Sequence, residues 1–301
     1  MNLSLLSSSS SSSDNFKSNL LYFKQGDIFL ITRYDGLDPM IMYGTGSSAG
    51  HTAIALSFNN SLHIVESTDT NPFKNYWPPP YGVISTPIEQ WFVNAHKANF
   101  TISVIRIRDD ILQQLNFTSM RETFLKYQGL PYGYHNLLYG WIDVIDNNFP
   151  MNLDSNLLSM IVSFLGRYKP DVIQSAFVDG LNKRISYIIE NNKTYNYTLE
   201  EILHYSIDHN MTFNDLFLIP EQDVWVYEDG KSMVCNVLIL TLLKSGGMFL
   251  PIDNQLQVSE FTPRNLYELE IYNSSASFQG IPCYQNADNG ICQFMGDYIM
   301  T

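Results

Sequence analysis

The chain has 301 residues, room for one large domain or two small ones, and a formal net charge of −13 at pH 7. That charge excludes a general affinity for nucleic acid or anionic membrane, both of which require a positive field. With 19 Tyr, 18 Phe and only 16% charged residues, the composition also excludes a disordered chain.

Residues 1–20, with the serine tract Ser7 to Ser13, read as a disordered tail. Its opening has no basic region and too short an apolar stretch for a signal peptide. A Gly26-Asp27 corner then leads into a strand ending near Thr32. Tyr34 to Gly50 reads as a loop rich in Gly, Asp and Ser. His51 to Phe58 and Leu62 to Ser67 read as strands around a hairpin tip at Asn59-Asn60. Asn71 to Tyr81, with Trp77 to Pro80 inside it, reads as a stiff aromatic loop, and Phe100 to Ile107 as another strand. Ser119 to Glu122 has the form of a capping box, starting a helix that stops at Gly129. Leu130 to Tyr134 follows as a turn.

From about 141 to 220 the texture changes to helix-period segments, at Leu157 to Leu165, Val172 to Glu190 and Thr198 to Ser206. The last opens with a second capping box, Thr198 to Glu201. This stretch reads as a helical insertion or lid. Val224 to Tyr227 is a short extended piece. Val234 to Leu243 is a buried helix that stops at Gly246-Gly247, and Phe261 to Ile271 reads as a helix turn and a strand. No apolar run reaches the length of a membrane span.

The chemistry centres on Cys235, where a polar turn meets the apolar helix. A thiol in the first helical turn feels the positive end of the backbone dipole, which favours the nucleophilic thiolate. His51 and Glu66 lie on neighbouring strands. A hairpin loop centred on Phe58 and Asn59 sets them directly opposite, and a shift of one pair leaves them diagonal but within reach. His63 points to the other sheet face, because its offset from Glu66 is odd. His96, His135, His204 and His209 share no ligand spacing with the cysteines, so no metal site and no cofactor is expected. Asp27 reads as structural, a turn buttress.

Four segments in this order, Gly26 to Leu30, Gly50 to Ala55, Ile64 to Ser67 and Val226 to Asn236, resemble the circularly permuted branch of the NlpC/P60 papain-like superfamily, in particular its YiiX-like families. The turn Gly129 to Gly133 is similar to one in that group. The resemblance implies an α+β fold in which an antiparallel sheet packs on the cysteine helix. It implies a single papain-like domain over 21–301, carrying the helical insertion. It assigns Cys235 as nucleophile, His51 as general base and Glu66 as the carboxylate that orients the imidazole. Where the family has Ser-Glu-Leu-like residues after the cysteine, this chain has Asn236, Val237 and Leu238. Tyr227 and Trp77 are candidates for contact with substrate.

The expected activity is that of a thiol hydrolase or acyltransferase working through a thioester on an amide or a lipid ester. The rival is a non-catalytic luminal binding protein on the same fold, with Cys235 buried and inert. A monomer acting on a small molecule, peptide or lipid is expected. Sequons begin at Asn2, Asn59, Asn99, Asn116, Asn192, Asn196, Asn210 and Asn273. The nine-residue spacing of Cys283 and Cys292, in a segment rich in Pro, Asn and Gly, suits a disulfide-closed loop. Together they point to a glycoprotein of the endomembrane lumen, lysosome-like, or a secreted one.

Overall fold

The computed structural model describes residues 20–69, 77–141, 163–164, 166–189, 196–273, 283, 285–286 and 290–298. Seven strands form one sheet in the order β4-β3-β2-β1-β5-β7-β6, with every pairing antiparallel. They are β1 (Asp27–Thr32), β2 (His51–Phe58), β3 (Ser61–Thr68), β4 (Gly82–Pro87), β5 (Thr101–Arg106), β6 (Gln285–Asn286) and β7 (Cys292–Met295). The helices that matter for the site are α1 (Leu37–Thr45), α2 (Ile88–Lys97), α3 (Phe117–Tyr127), α4 (Pro170–Ile188), α5 (Leu199–Asp208) and α6 (Cys235–Ser245).

Side chains alternate across the central strands, and the two sheet faces bury different helices. Ile28, Leu30, Ile54, Leu56 and Val65 pack in one core with Val237, Leu238, Ile239 and Leu240 of α6. Phe29, Ala53, Ala55, Ile64 and Val104 pack in a second core with Trp91, Phe92 and Ala95 of α2. The α6 residues Val237 to Leu240 are all fully buried. Each contributes roughly 1.5–3 kcal/mol of burial free energy, so α6 is held as firmly as the strands it covers. The mixed α+β class and the packing of the antiparallel sheet on the cysteine helix follow the sequence reading.

Asp27 receives two hydrogen bonds of 2.7 Å from the Arg106 guanidinium, tying β1 to β5, and one from the Lys24 amide. Its role as a turn buttress is therefore accompanied by a buried ion pair. At the hairpin tip both Asn59 and Asn60 have positive φ, 48° and 63°, the requirement of a two-residue turn that follows strand twist.

Several elements depart from expectation. The loop over Tyr34 to Gly50 contains α1, which has no side-chain N-cap and ends on Gly46 at φ 62°. β4, α2 and β7 were not foreseen. α3 begins before Ser119: Asn116 is its N-cap, and its side chain accepts the Ser119 amide at 3.1 Å. The capping box at Thr198 and Glu201 is present as expected. The strand expected before Ile271 is reduced to a single bridge between Ile107 and Tyr272. Most of Leu157 to Leu165 lies outside the described residues. Within 141–220, α4 packs on α5 and on the short helix Phe213–Phe217. No helix among the described residues is long and apolar enough to cross a membrane.

Candidate active site

Ile54 pairs with Val65, so Glu66 falls opposite Ala53, and His51 is two residues farther along on the same face. The two are thus diagonal neighbours, within reach of long side chains. His51 Nε2 is 2.7 Å from Glu66 Oε2. The other carboxylate oxygen accepts the Trp91 indole N–H at 2.8 Å. His51 Nδ1 has no hydrogen-bond partner among the described residues. That ring nitrogen is the one not engaged by Glu66, and the imidazole and the Cys235 thiol are close enough to shift each other's protonation.

Position in the elements makes this meeting possible. His51 is the first residue of β2 and Cys235 the first of α6, which packs on β2 and β3. Thr52, the next residue of β2, is near enough to help lower the thiol pKa. Cys235 Sγ lies 3.9 Å from Asn236 Oδ1.

The turn before the thiol is fixed from two directions. The Met233 carbonyl accepts the Ser67 hydroxyl at 2.7 Å and the Gly133 amide at 3.0 Å. A Cβ on Gly133 would collide with the Met233 backbone, so this close approach demands glycine. The same turn is tied to β4, with Val83 donating to the Leu130 carbonyl and Gly129 donating to the Val83 carbonyl, both at 2.9 Å. Residues 129–134 therefore set the position of Cys235 relative to the sheet.

The electrostatics follow from this placement. Burial and the Arg33 charge push the His51 imidazolium down, but hydrogen bonds to Cys235 and Glu66 and the thiolate charge outweigh them, raising its pKa to about 9. Burial pushes the Cys235 thiol up, but the hydrogen bond and charge of His51, with help from Thr52, bring it below its ordinary value. The two shifts are coupled, each group favouring the charged form of the other. Nearby, Arg33 binds Asp38 with contacts of 2.7 and 3.0 Å and reaches Thr68 at 3.2 Å. Burial raises Asp38 to about 6 against the lowering effect of Arg33. At the N-terminus of α6, Val234 provides no side-chain cap. The first amides of that helix have no intrahelical acceptor, which makes them donors for an oxyanion.

All three chemical groups are covered: Cys235 and His51 are 1% exposed and Glu66 is 2%. Trp77 is buried, stacked on Phe100 at 5.2 Å and edge-on to Trp91 at 5.8 Å. Tyr227 is also buried. It stacks on His135 at 3.7 Å, its hydroxyl binds Glu221, and Glu221 in turn binds Arg184 at 3.1 Å. Tyr227 also borders a cavity of about 480 Å³ with Asp179, Lys183, Asn196, Tyr197 and Glu228. Both aromatics are thus committed to internal packing. His63 lies on the opposite face from Glu66, as its register requires, and meets Phe58 edge-to-face. No cluster of three or more His, Cys, Asp or Glu arranged to hold a metal occurs among the described residues.

Cys283 and Cys292 form a disulfide, and Cys235 is a free, buried cysteine. Asn59, Asn99, Asn116, Asn196 and Asn210 are exposed and Asn273 is half-buried. Asn2 and Asn192 lie outside the described residues. Sequence reasoning missed Trp91, Thr52 and Arg33. None carries a local signal, because each joins the site through a long-range contact.

No family model matches the chain, and no curated protein matches it. Among solved structures there is a likeness to the metalloprotein YiiX of Escherichia coli O157:H7. It has 16% sequence identity and a TM-score of 0.27, and covers 49% of this chain and 67% of that one.

Proposed function

We propose that the chain is a papain-like thiol enzyme of the circularly permuted NlpC/P60 type, with the segment around 141–220 inserted as a helical lid into one domain. Cys235 is the nucleophile, His51 the general base and Glu66 the orienting carboxylate. The observation that carries this reading is the buried imidazole bound to Glu66 through Nε2 at the start of β2, the strand on which the Cys235 helix packs.

The reaction is acyl transfer. His51 takes the thiol proton, and the sulfur bonds to the acyl carbon of an amide or ester. The oxyanion that develops is held by the amides at the start of α6. The imidazolium returns the proton to the leaving amine or alcohol as the carbon–heteroatom bond breaks, leaving a thioester on Cys235. Water or another acceptor, deprotonated by His51, then releases the acyl group and restores the thiol. Amide and lipid ester substrates both fit this sequence. The disulfide and the exposed sequons support a luminal or secreted glycoprotein.

The test is alkylation by iodoacetamide near neutral pH without denaturant, read by mass spectrometry at Cys235. Rapid modification of the native chain is expected. A thiol that reacts only after unfolding overturns the enzyme reading. A second reading has its own support: a thiol only 1% exposed fits a non-catalytic binding protein with an inert cysteine. That reading predicts the opposite alkylation result.

A further inference from the structure

Glu66 has two oxygens and each has one directed partner. Oε2 is 2.7 Å from His51 Nε2, and Oε1 receives the Trp91 indole N–H at 2.8 Å. Trp91 comes from α2, in the core on the sheet face that α6 does not cover, and is fully buried. Its ring is clamped by Phe29 at 5.9 Å, Trp77 at 5.8 Å and Phe92 at 5.1 Å. The indole N–H therefore has a fixed direction, set by a core unrelated to the thiol.

We propose that Trp91 is a positioning residue: acting through Glu66, it fixes the rotation of the carboxylate and so decides which imidazole nitrogen is left for Cys235. The inference rests on the proposed role of the Cys235–His51 pair and deepens it. A glutamate carboxylate can turn about its last bond and offer either oxygen. In a buried site, one rigid donor on Oε1 removes that freedom. Oε2 then accepts from Nε2–H, the tautomer that leaves Nδ1 as the acceptor for the thiol proton. The charged groups facing His51 come from other elements: Glu66 from β3, Cys235 from α6, Arg33 after β1 and Asp38 from α1. Trp91 adds no charge, so its effect runs through orientation.

The experiment uses the full chain and Trp91→Phe, which removes the N–H and keeps a ring, with Phe92→Leu as a packing control in the same core. Heteronuclear NMR of the imidazole reads the His51 titration and tautomer directly. In Trp91→Phe the His51 midpoint is expected to fall by about one pH unit, with mixed tautomers. In Phe92→Leu the melting temperature falls while the His51 midpoint stays put. An unchanged midpoint and tautomer in Trp91→Phe overturns the proposal. If that variant does not fold, the wild type supplies the answer: the Trp91 indole proton resonance must shift with the His51 midpoint, and a resonance indifferent to it refutes the link. Iodoacetamide reactivity of wild-type Cys235 is read separately. Its absence overturns the nucleophile assignment, whereas a reactive thiol with an unmoved midpoint in Trp91→Phe overturns only the role of Trp91.

Discussion

Replacing His51 with Gln removes the imidazole but leaves a polar side chain near Glu66 and Cys235. The effect on the thiol follows from the balance at the site. Burial alone pushes the thiol up, and the hydrogen bond and charge of His51 are the largest influences bringing it down. Without them the pKa returns to at least the ordinary value near 8.5, at which only about 0.3% is thiolate at about pH 6. The wild-type thiol is held below its ordinary value, so at that pH the variant has less thiolate. The more basic sulfur is intrinsically more nucleophilic, which recovers part of the difference. The net expectation is a loss on the order of tenfold in alkylation rate at about pH 6. Iodoacetamide must enter a covered site in both proteins, so the ratio of rates cancels much of the cost of opening. The loss should shrink as pH rises, because the variant thiol ionises on its own. Measured rates within about threefold of each other across that range would refute the coupling between His51 and Cys235.

Three further outcomes test the framework around the site. His135 is held near a pKa of about 3 by burial, with the charges of Arg184 and Lys183 acting in the same direction. Its folded value lies below the unfolded one of 6.5, so its contribution to stability is full above about pH 6.5 and is lost as pH falls towards about 3, by roughly 5 kcal/mol at most. His135→Phe keeps a ring on Tyr227, and urea melts from about pH 7 to 4 should show a flatter acid limb than the wild type; parallel curves would contradict this assignment. Gly133→Ala forces a methyl group into the Met233 backbone, and should cost about 1–3 kcal/mol while slowing Cys235 alkylation; unchanged melting and reactivity would show that the turn does not position the thiol. Replacing Cys283 and Cys292 with Ser opens a loop with a sequence separation of 9, and should lower stability by roughly 2–3 kcal/mol in chemical denaturation; unchanged stability would show that the bond does not constrain this loop.

The parts of this fold that the sequence disclosed are those with strong local patterns. β2 alternates through Ile54 and Leu56 against Ala53 and Ala55, and the Asn59-Asn60 tip limits the register to a few choices, all of which leave His51 near Glu66. The observed register is the diagonal one, because the turn centres one residue later than Phe58 and Asn59. α6 was legible because its residues are apolar on every side and Gly246-Gly247 stop it. β4 was not, because its six residues end in Pro87 and follow a run of prolines. α2 was not, because Pro87 gives it no side-chain cap. α1 was hidden by Gly36, Pro39, Gly44 and Gly46, which read as turn residues although Pro39 sits in the first helical turn, where it costs little. The resemblance ordered Cys235, His51 and Glu66, but Trp91 reaches Glu66 across 25 positions from a helix that no pattern announced. A donor of that kind is legible only in three dimensions.

The choice between a working site and an inert core turns on what burial of charge costs. Removing ions from water is repaid only with good geometry, and apolar replacements of similar volume are often neutral or stabilising. A cysteine that merely fills space needs neither an imidazole nor a carboxylate beside it. Here both are present, at 1% and 2% exposure, with an indole N–H spent on the carboxylate. The joint variant His51→Leu, Glu66→Leu and Trp91→Phe removes the whole polar chain beside the thiol. It should be as stable as the wild type, or up to about 3 kcal/mol more so, in chemical denaturation. Glu66→Leu alone should lose about 3–5 kcal/mol, because it strands the imidazolium and the indole N–H without a partner. If the joint variant is as unstable as the single one, the chain of polar groups holds the fold together and its presence says nothing about catalysis. If it is stable and its thiol has lost reactivity, the charges were retained against the interest of stability, which is the mark of groups kept for chemistry.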